Sequence, residues 1–225
     1  MKKIGIVVAM AEELKPYLAL IGQVKDECVK GNTPIYTISA GDKQLVVINS
    51  GIGEIASAAA TQKLISEYGV ECIFNYGYAG SLSPELKFGD IVAVRGILHY
   101  EYDISPITPD VRPYMYREIG TEIITCAVQP LLDADPDLKC EVCASGNLLI
   151  NREKMRNRLK ALGCALCEME AAGVALTAFR NDIPCYLLKI ISDNADENAV
   201  VDFDTNLSKK NEEFEKILKK VIETL

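Results

Sequence analysis

Short apolar runs recur along the chain, separated by stretches whose apolar residues return with a helical period. The runs predict strands at 4–9, 35–40, 44–49, 72–77, 90–94, 140–144, 165–168 and 185–191. Several are apolar at consecutive positions, as in Ile4-Gly5-Ile6-Val7-Val8-Ala9, which marks strands covered by helices on both faces in a mostly parallel sheet. The stretch around Gly41-Asp42 instead predicts an antiparallel hairpin. Helices are predicted at 11–20, 54–68, 118–132, 152–162, 171–181 and 203–225. The last carries Leu207, Phe214, Leu218, Val221 and Ile222 among lysines and glutamates, the pattern of an amphipathic surface helix. No low-complexity linker breaks the series, so residues 1–225 read as a single α/β domain. One segment stands out. In 98–117, Tyr100, Tyr102, Tyr114 and Tyr116 alternate with Pro106, Pro109 and Pro113, the composition of a lid or a subunit contact.

Composition narrows the partners. A 49% hydrophobic fraction over 225 residues supplies a large core and excludes a disordered chain. Lys+Arg 24 against Asp+Glu 32 gives −8, and no basic run offsets it, so neither nucleic acid nor an anionic membrane finds its electrostatic footprint. A small or neutral partner is expected. No stretch is apolar for long enough to span a membrane, and Glu12-Glu13 end the first apolar run too early for a secretory core, so a cytoplasmic protein is expected. The eight cysteines then read as thiols in a reducing compartment. Cys140-x-x-Cys143 and Cys164-x-x-Cys167 have the spacing of a zinc ribbon. Both pairs fall in or beside predicted strands, where residues three apart face opposite sides, so packing is the expected role and no metal is assigned. His99 is the one histidine and has no nucleophile motif nearby, which argues against Ser-His-Asp or Cys-His catalysis and for a surface or lid position.

Ligands of α/β sheets bind at the carboxyl ends of strands, and polar groups collect there. Glu12-Glu13, Ser50-Gly51-Ile52-Gly53, the segment Asn75 to Gly80, Ser145-Gly146-Asn147, Glu168-Met169-Glu170 and Ser192-Asp193 all follow predicted strands. Gly51-x-Gly53 lacks the third glycine of a dinucleotide fingerprint, and no phosphate-loop lysine motif exists, so no cofactor is assigned. One of the two glutamates around Met169 is expected to face the cleft; capping a helix is the competing role for them, and for Asp193.

Jointly these segments resemble the 5′-methylthioadenosine/S-adenosylhomocysteine nucleosidases of the nucleoside phosphorylase superfamily. The matching residues are Ile4-Gly5-Ile6 to Ala9-Met10-Ala11-Glu12-Glu13, Ser50-Gly51-Ile52-Gly53, Gly77-x-Ala79-Gly80, Gly89-Asp90-Ile91-Val92, Ser145-Gly146, Glu168-Met169-Glu170-Ala171 and Ile191-Ser192-Asp193-x-Ala195-Asp196, in the family's order. The resemblance implies a three-layer αβα sandwich with a central mixed β-sheet, and an N-ribosyl hydrolase that releases adenine from a 5′-substituted nucleoside. It implies that Asp193, positioned by Ser192, protonates the leaving base and that Glu13 orients and deprotonates water. Glu170 would hold the ribose hydroxyls and Met169 would lie on the sugar. Met10, Ile52, Tyr78, Ala79, Gly80, Leu149, Ile150, Glu168 and Phe203 complete the expected lining, and a homodimer is implied. Two carboxylates without a cation between Ile4 and Leu14 would repel phosphate, so hydrolysis rather than phosphorolysis is expected.

Departures from the family surround the substrate. Tyr78 replaces a small residue, Leu149 the aromatic that stacks on adenine, Asn147 an aspartate and Lys189 an arginine. The 98–117 segment, which in that family helps form the neighbouring subunit's alkylthio pocket, lacks the family signature. The 5′ substituent stays open. A divergent purine nucleosidase or phosphorylase, or a non-catalytic nucleoside-binding protein, are the alternatives.

Overall fold

The computed structural model describes residues 2–31, 33–207 and 212–225, and the side chains of 204, 206 and 207 lie outside that description. Ten strands join in one mixed sheet among the described residues. They are β1 (Lys3–Val8), β2 (Gln23–Lys30), β3 (Thr33–Ala40), β4 (Lys43–Asn49), β5 (Cys72–Ser81), β6 (Ile91–His99), β7 (Ile123–Thr125), β8 (Lys139–Ser145), β9 (Leu166–Glu168) and β10 (Cys185–Asp193). The helices are α1 (Ala11–Leu18), α2 (Glu54–Lys63), α3 (Gln129–Ala134), α4 (Glu153–Ala161), α5 (Ala171–Arg180), α6 (Ala199–Leu207) and α7 (Glu212–Thr224). α2 runs on through a wider π turn, Leu64–Tyr68, and stops at left-handed Gly69.

The order along the sheet is β10-β6-β8-β9-β5-β1-β4-β3-β2, and β10 also pairs with β5. β5, β10, β6, β8 and β9 therefore close into a ring, and β1, β4, β3 and β2 extend from it as an open wing. Every residue of β10 is buried, because strands flank it on both sides. In the wing, Ile4, Ile6 and Val8 of β1 pack with Leu14, Tyr17, Phe214 and Leu218 of α1 and α7. Val7 instead packs in a cluster that includes Ala60 of α2 and Val174 of α5. Strand alternation thus feeds two cores from one strand. A third cluster, with Leu98, Tyr100, Ala144, Ile150 and Leu159, sits under α4.

The mixed α/β fold, the eight predicted strands and the hairpin at left-handed Gly41 are all present, with boundary shifts of a few residues. Three expectations change. The helix at 118–132 is replaced by β7 and the short α3: Ile123-Ile124-Thr125 pairs with Gly96-Ile97-Leu98, and the helix starts only where Pro130 sits in its first turn. Strand β2 was not anticipated, because its exposed, polar sequence carries no alternation and it is held by pairing to β3. The 203–225 helix appears as α6 and α7; residues 208–211 between them, and the side chain of Leu207, lie outside the described residues. No helix among the described residues is long and apolar enough to cross a membrane.

Candidate active site

A cavity of about 280 Å³ opens where the ends of six strands meet. Ala9, Met10 and Glu13 come from the β1–α1 junction, Ile52 from the turn after β4, and Tyr78, Ala79 and Gly80 from β5. Leu149 follows β8; Cys167, Glu168, Met169 and Glu170 come from β9 and its exit; Ser192 and Asp193 end β10; Val200 and Phe203 lie on α6. Thirteen of the fourteen residues expected at a site therefore line one cavity. Ile150 is the exception, and its expected lining role is corrected: it is 5% exposed and its side chain packs in the third cluster. Ala9, Cys167 and Val200 were not anticipated, although Val200 stands one helical turn before Phe203 and the other two adjoin named residues.

Glu13 is the third residue of α1 and reaches back to accept the Met10 N–H with Oε2 at 3.0 Å. Its Oε1 accepts the Tyr78 N–H at 2.9 Å. The carboxylate lies so close to β5 that a Cβ on Gly77 would stand 2.7 Å from Oε1. Burial raises its pKa, against the pull of those two amides and of Lys189.

Asp193 is arranged likewise. Oδ2 accepts the Ser192 hydroxyl at 2.8 Å and Oδ1 the N–H of Ala195 at 2.8 Å, the latter residue in the left-handed region at φ 51. Asp193 is paired across the sheet with Gly80, just past an irregularity in the β10–β5 register. A Cβ on Gly80 would stand 2.8 Å from Oδ1. Burial again raises the pKa, opposed by the Ala195 amide and the Ser192 hydroxyl. Two glycines of one strand thus make room for two buried carboxylates.

The strand ends at Glu168 and the chain turns into α5, so Glu168 and Glu170 leave strand geometry and take different partners. Glu168 takes the helix-capping role: it accepts the N–H groups of Glu170 at 3.0 Å and Ala171 at 2.8 Å. It also pairs with Lys189 Nζ at 3.0 Å, both side chains being 2% exposed. Glu170 Oε1 accepts the Gly53 N–H at 2.9 Å across the contact between α2 and α5. That contact is tight, since a Cβ on Gly173 would lie 2.3 Å from the Glu54 carbonyl. Glu170 Oε2 makes no hydrogen bond among the described residues. Burial, and then the neighbouring Glu168 charge, push the Glu170 pKa up to about 7.

The apolar walls are as distinctive. Tyr78 sets its ring edge-to-face on Phe203, centroids 5.9 Å apart, and burial pushes its phenol up to about 12. Leu149 and Ile52 stand at the mouth, 51% and 58% exposed. No Lys or Arg is among the described lining residues, and Lys189 behind them is engaged by Glu168.

His99 is not a free lid residue. Its Nδ1 lies 2.7 Å from the Tyr116 hydroxyl and its Nε2 3.0 Å from Glu54 Oε1, and its ring lies alongside those of Tyr102 and Tyr116. All eight cysteines are free thiols, and no group of three or more His, Cys, Asp or Glu converges as a metal site among the described residues.

The sequence profile of the Phosphorylase superfamily matches residues 3–223. An aminodeoxyfutalosine nucleosidase of Helicobacter pylori strain J99 is 30% identical, over 100% of both chains. A 5′-methylthioadenosine/S-adenosylhomocysteine nucleosidase of Shewanella sediminis is 28% identical over 92% of this chain and 93% of its own. Among solved structures, a mutant Helicobacter pylori nucleosidase with 5′-methylthioadenosine in its active site superposes with a TM-score of 0.92 at 30% identity, covering 100% of each chain.

Proposed function

Because the chain belongs to the Phosphorylase superfamily, we propose that its cleft hydrolyses the N-glycosidic bond of a 5′-substituted adenine nucleoside, of the 5′-methylthioadenosine or S-adenosylhomocysteine kind, and releases adenine. The observation that carries this reading is the pair of carboxylates seated against Gly77 and Gly80, with one open oxygen on Glu170 beside them. Breaking the bond leaves a ribosyl centre of oxocarbenium character, which needs an acid for the base and a carboxylate for water. Asp193, held protonated more readily by burial, donates to the departing purine while Ser192 fixes its orientation. Glu13, locked by two amides, orients the water and takes its proton. Glu170 Oε2 accepts from a ribose hydroxyl, and Met169 lies on the sugar face with a thioether that adapts to a changing geometry. Glu168 fixes this constellation through the helix cap and Lys189 rather than by touching the sugar.

The carboxylates that line the cleft, with no cation among the described lining residues, support water over phosphate as the nucleophile. The reading includes a cytoplasmic homodimer acting on a small molecule, and a three-layer αβα sandwich with a central mixed β-sheet, which the helix clusters on both faces of the open wing support.

An adenine-release assay over methylthioadenosine, adenosylhomocysteine, 5′-deoxyadenosine, adenosine and inosine tests the reading. Release without phosphate from the 5′-substituted adenosines, by protein that sediments as a dimer, is expected. Asp193→Asn should abolish it while the unfolding midpoint holds, because the shape stays and the proton donor goes. A phosphate-dependent rate yielding ribose 1-phosphate, or near-normal turnover in Asp193→Asn, overturns it.

A further inference from the structure

A second network, joined to the carboxylates above through the Gly53 amide, runs along the rim between Leu149 and Glu170. Glu54 is its hub, with a side chain only 12% exposed. Its Oε2 accepts from Asn147 Nδ2 at 2.8 Å, and its Oε1 faces His99 Nε2 at 3.0 Å. The main chain is gripped too: the Glu54 N–H donates to Asn147 Oδ1 at 2.9 Å, while the amide one residue earlier, on Gly53, holds Glu170. From the other side, the Asn147 N–H donates to Glu101, and the Tyr100 hydroxyl donates to the Leu148 carbonyl at 3.2 Å. Gly146 lies against the Tyr100 ring, where a Cβ would stand 2.5 Å from Cζ.

The Asn147 amide therefore uses both ends on one partner, giving a hydrogen bond with Nδ2 and taking one with Oδ1. An aspartate would keep the second bond and lose the first, and would set two carboxylates against each other where an N–H now bridges 2.8 Å. Gly53 makes the approach possible, since a Cβ there would lie 3.0 Å from Asn147 Oδ1.

We propose that Asn147 and Glu54 form a positioning pair that holds the base wall at Leu149 and the sugar carboxylate Glu170 at a fixed spacing, anchored by His99, Tyr100 and Glu101 of the same chain. The proposal rests on the nucleoside reading of the cleft. It gives the tyrosine-rich segment a task within its own subunit, and it explains why residue 147 is an amide.

The test uses the full-length protein with Asn147→Asp, Asn147→Ala, Glu54→Gln and the double variant Glu54→Gln/Asn147→Asp, in which a glutamine N–H again meets a carboxylate. Asn147→Asp should raise KM about tenfold with kcat within about threefold, and the double variant should return KM to within about threefold of the parent. Amide hydrogen exchange should quicken together at residues 53–54 and 146–149 in Asn147→Asp and slow again in the double variant. Asn147→Ala, which loses both bonds without adding charge, covers the case in which the aspartate variant does not fold. Unchanged KM and exchange in Asn147→Asp or Asn147→Ala, or a double variant no better than Asn147→Asp, overturns the pair. If the parent protein releases no adenine, the nucleoside reading falls, and the exchange data alone decide the positioning role.

Discussion

Glu170 has two oxygens with different fates: one is spent on Gly53 and the other opens to the cleft. Its usefulness as an acceptor depends on its charge, and burial together with Glu168 pushes its pKa to about 7. Lys189, the Gly53 amide and Glu13 are the other groups that act on it. As pH falls through that value the carboxylate takes up a proton and the acceptor is lost. Adenine release should therefore show kcat/KM falling about tenfold per pH unit below about 7. Glu170→Gln should lower the plateau roughly ten- to hundredfold, the worth of a hydrogen bond to a charged group, and flatten that limb. A limb that persists unchanged in Glu170→Gln assigns it to another group. The sequence made Glu13, Glu170 and Asp193 visible, because they stand just after predicted strands, where ligands of α/β sheets bind. It hid the geometry that distinguishes them, since Gly77 and Gly80 show their purpose only when a Cβ is placed on them.

Three elements meet at Glu168: it ends β9, caps α5, and takes the Lys189 charge from β10. Twenty-one residues separate the ion-pair partners, so no local spacing announced the pair. Lys189 alone reads as a departure from an arginine. Removing one partner of a buried pair strands the other charge, at a cost of about 3–5 kcal/mol. Lys189→Met should lower stability by roughly that amount in denaturant titration, and Lys189→Arg should recover part of it. A loss under about 1 kcal/mol would mean that Glu168 is satisfied by the α5 amides alone. Elements were legible where burial imposed a pattern. β10 reads as a strand from its continuous apolar run, whereas β2 has a polar sequence whose conformation is set by its neighbour. β7 failed for another reason: Ile123-Ile124 fits either period, and only pairing with β6 decides it.

At the scale of the molecule, the cleft works against the fold that holds it. Glu13, Glu170 and Asp193 all have raised pKa values because burial penalises their charge. A carboxyl whose folded pKa exceeds its unfolded value binds its proton more tightly in the native state, so acidification stabilises the fold across that window. For Glu170 the rise from 4.5 to about 7 corresponds to roughly 3 kcal/mol. Asp90, Glu118 and Glu122 have lowered values, and their contribution is lost only at lower pH. Ligand-free protein should accordingly melt about 5–10 °C higher near pH 5.5 than near pH 8, and Glu170→Gln should shrink the difference. A midpoint that falls steadily over that range would show that these carboxylates do not govern it.

The pairing of β10 with β5 inside a closed ring carries a consequence for how such a chain can diverge. Asp193 stands opposite Gly80, while Glu13 bonds to the Tyr78 amide on that same strand. A one-residue insertion or deletion in either strand would turn every later side chain to the opposite face and send the acid into the packed interior. A ring has no free edge along which the slip could be absorbed. Length changes in this lineage should therefore accumulate in the wing and in the segment after His99, while β5 and β10 keep their residue count even where their residues change.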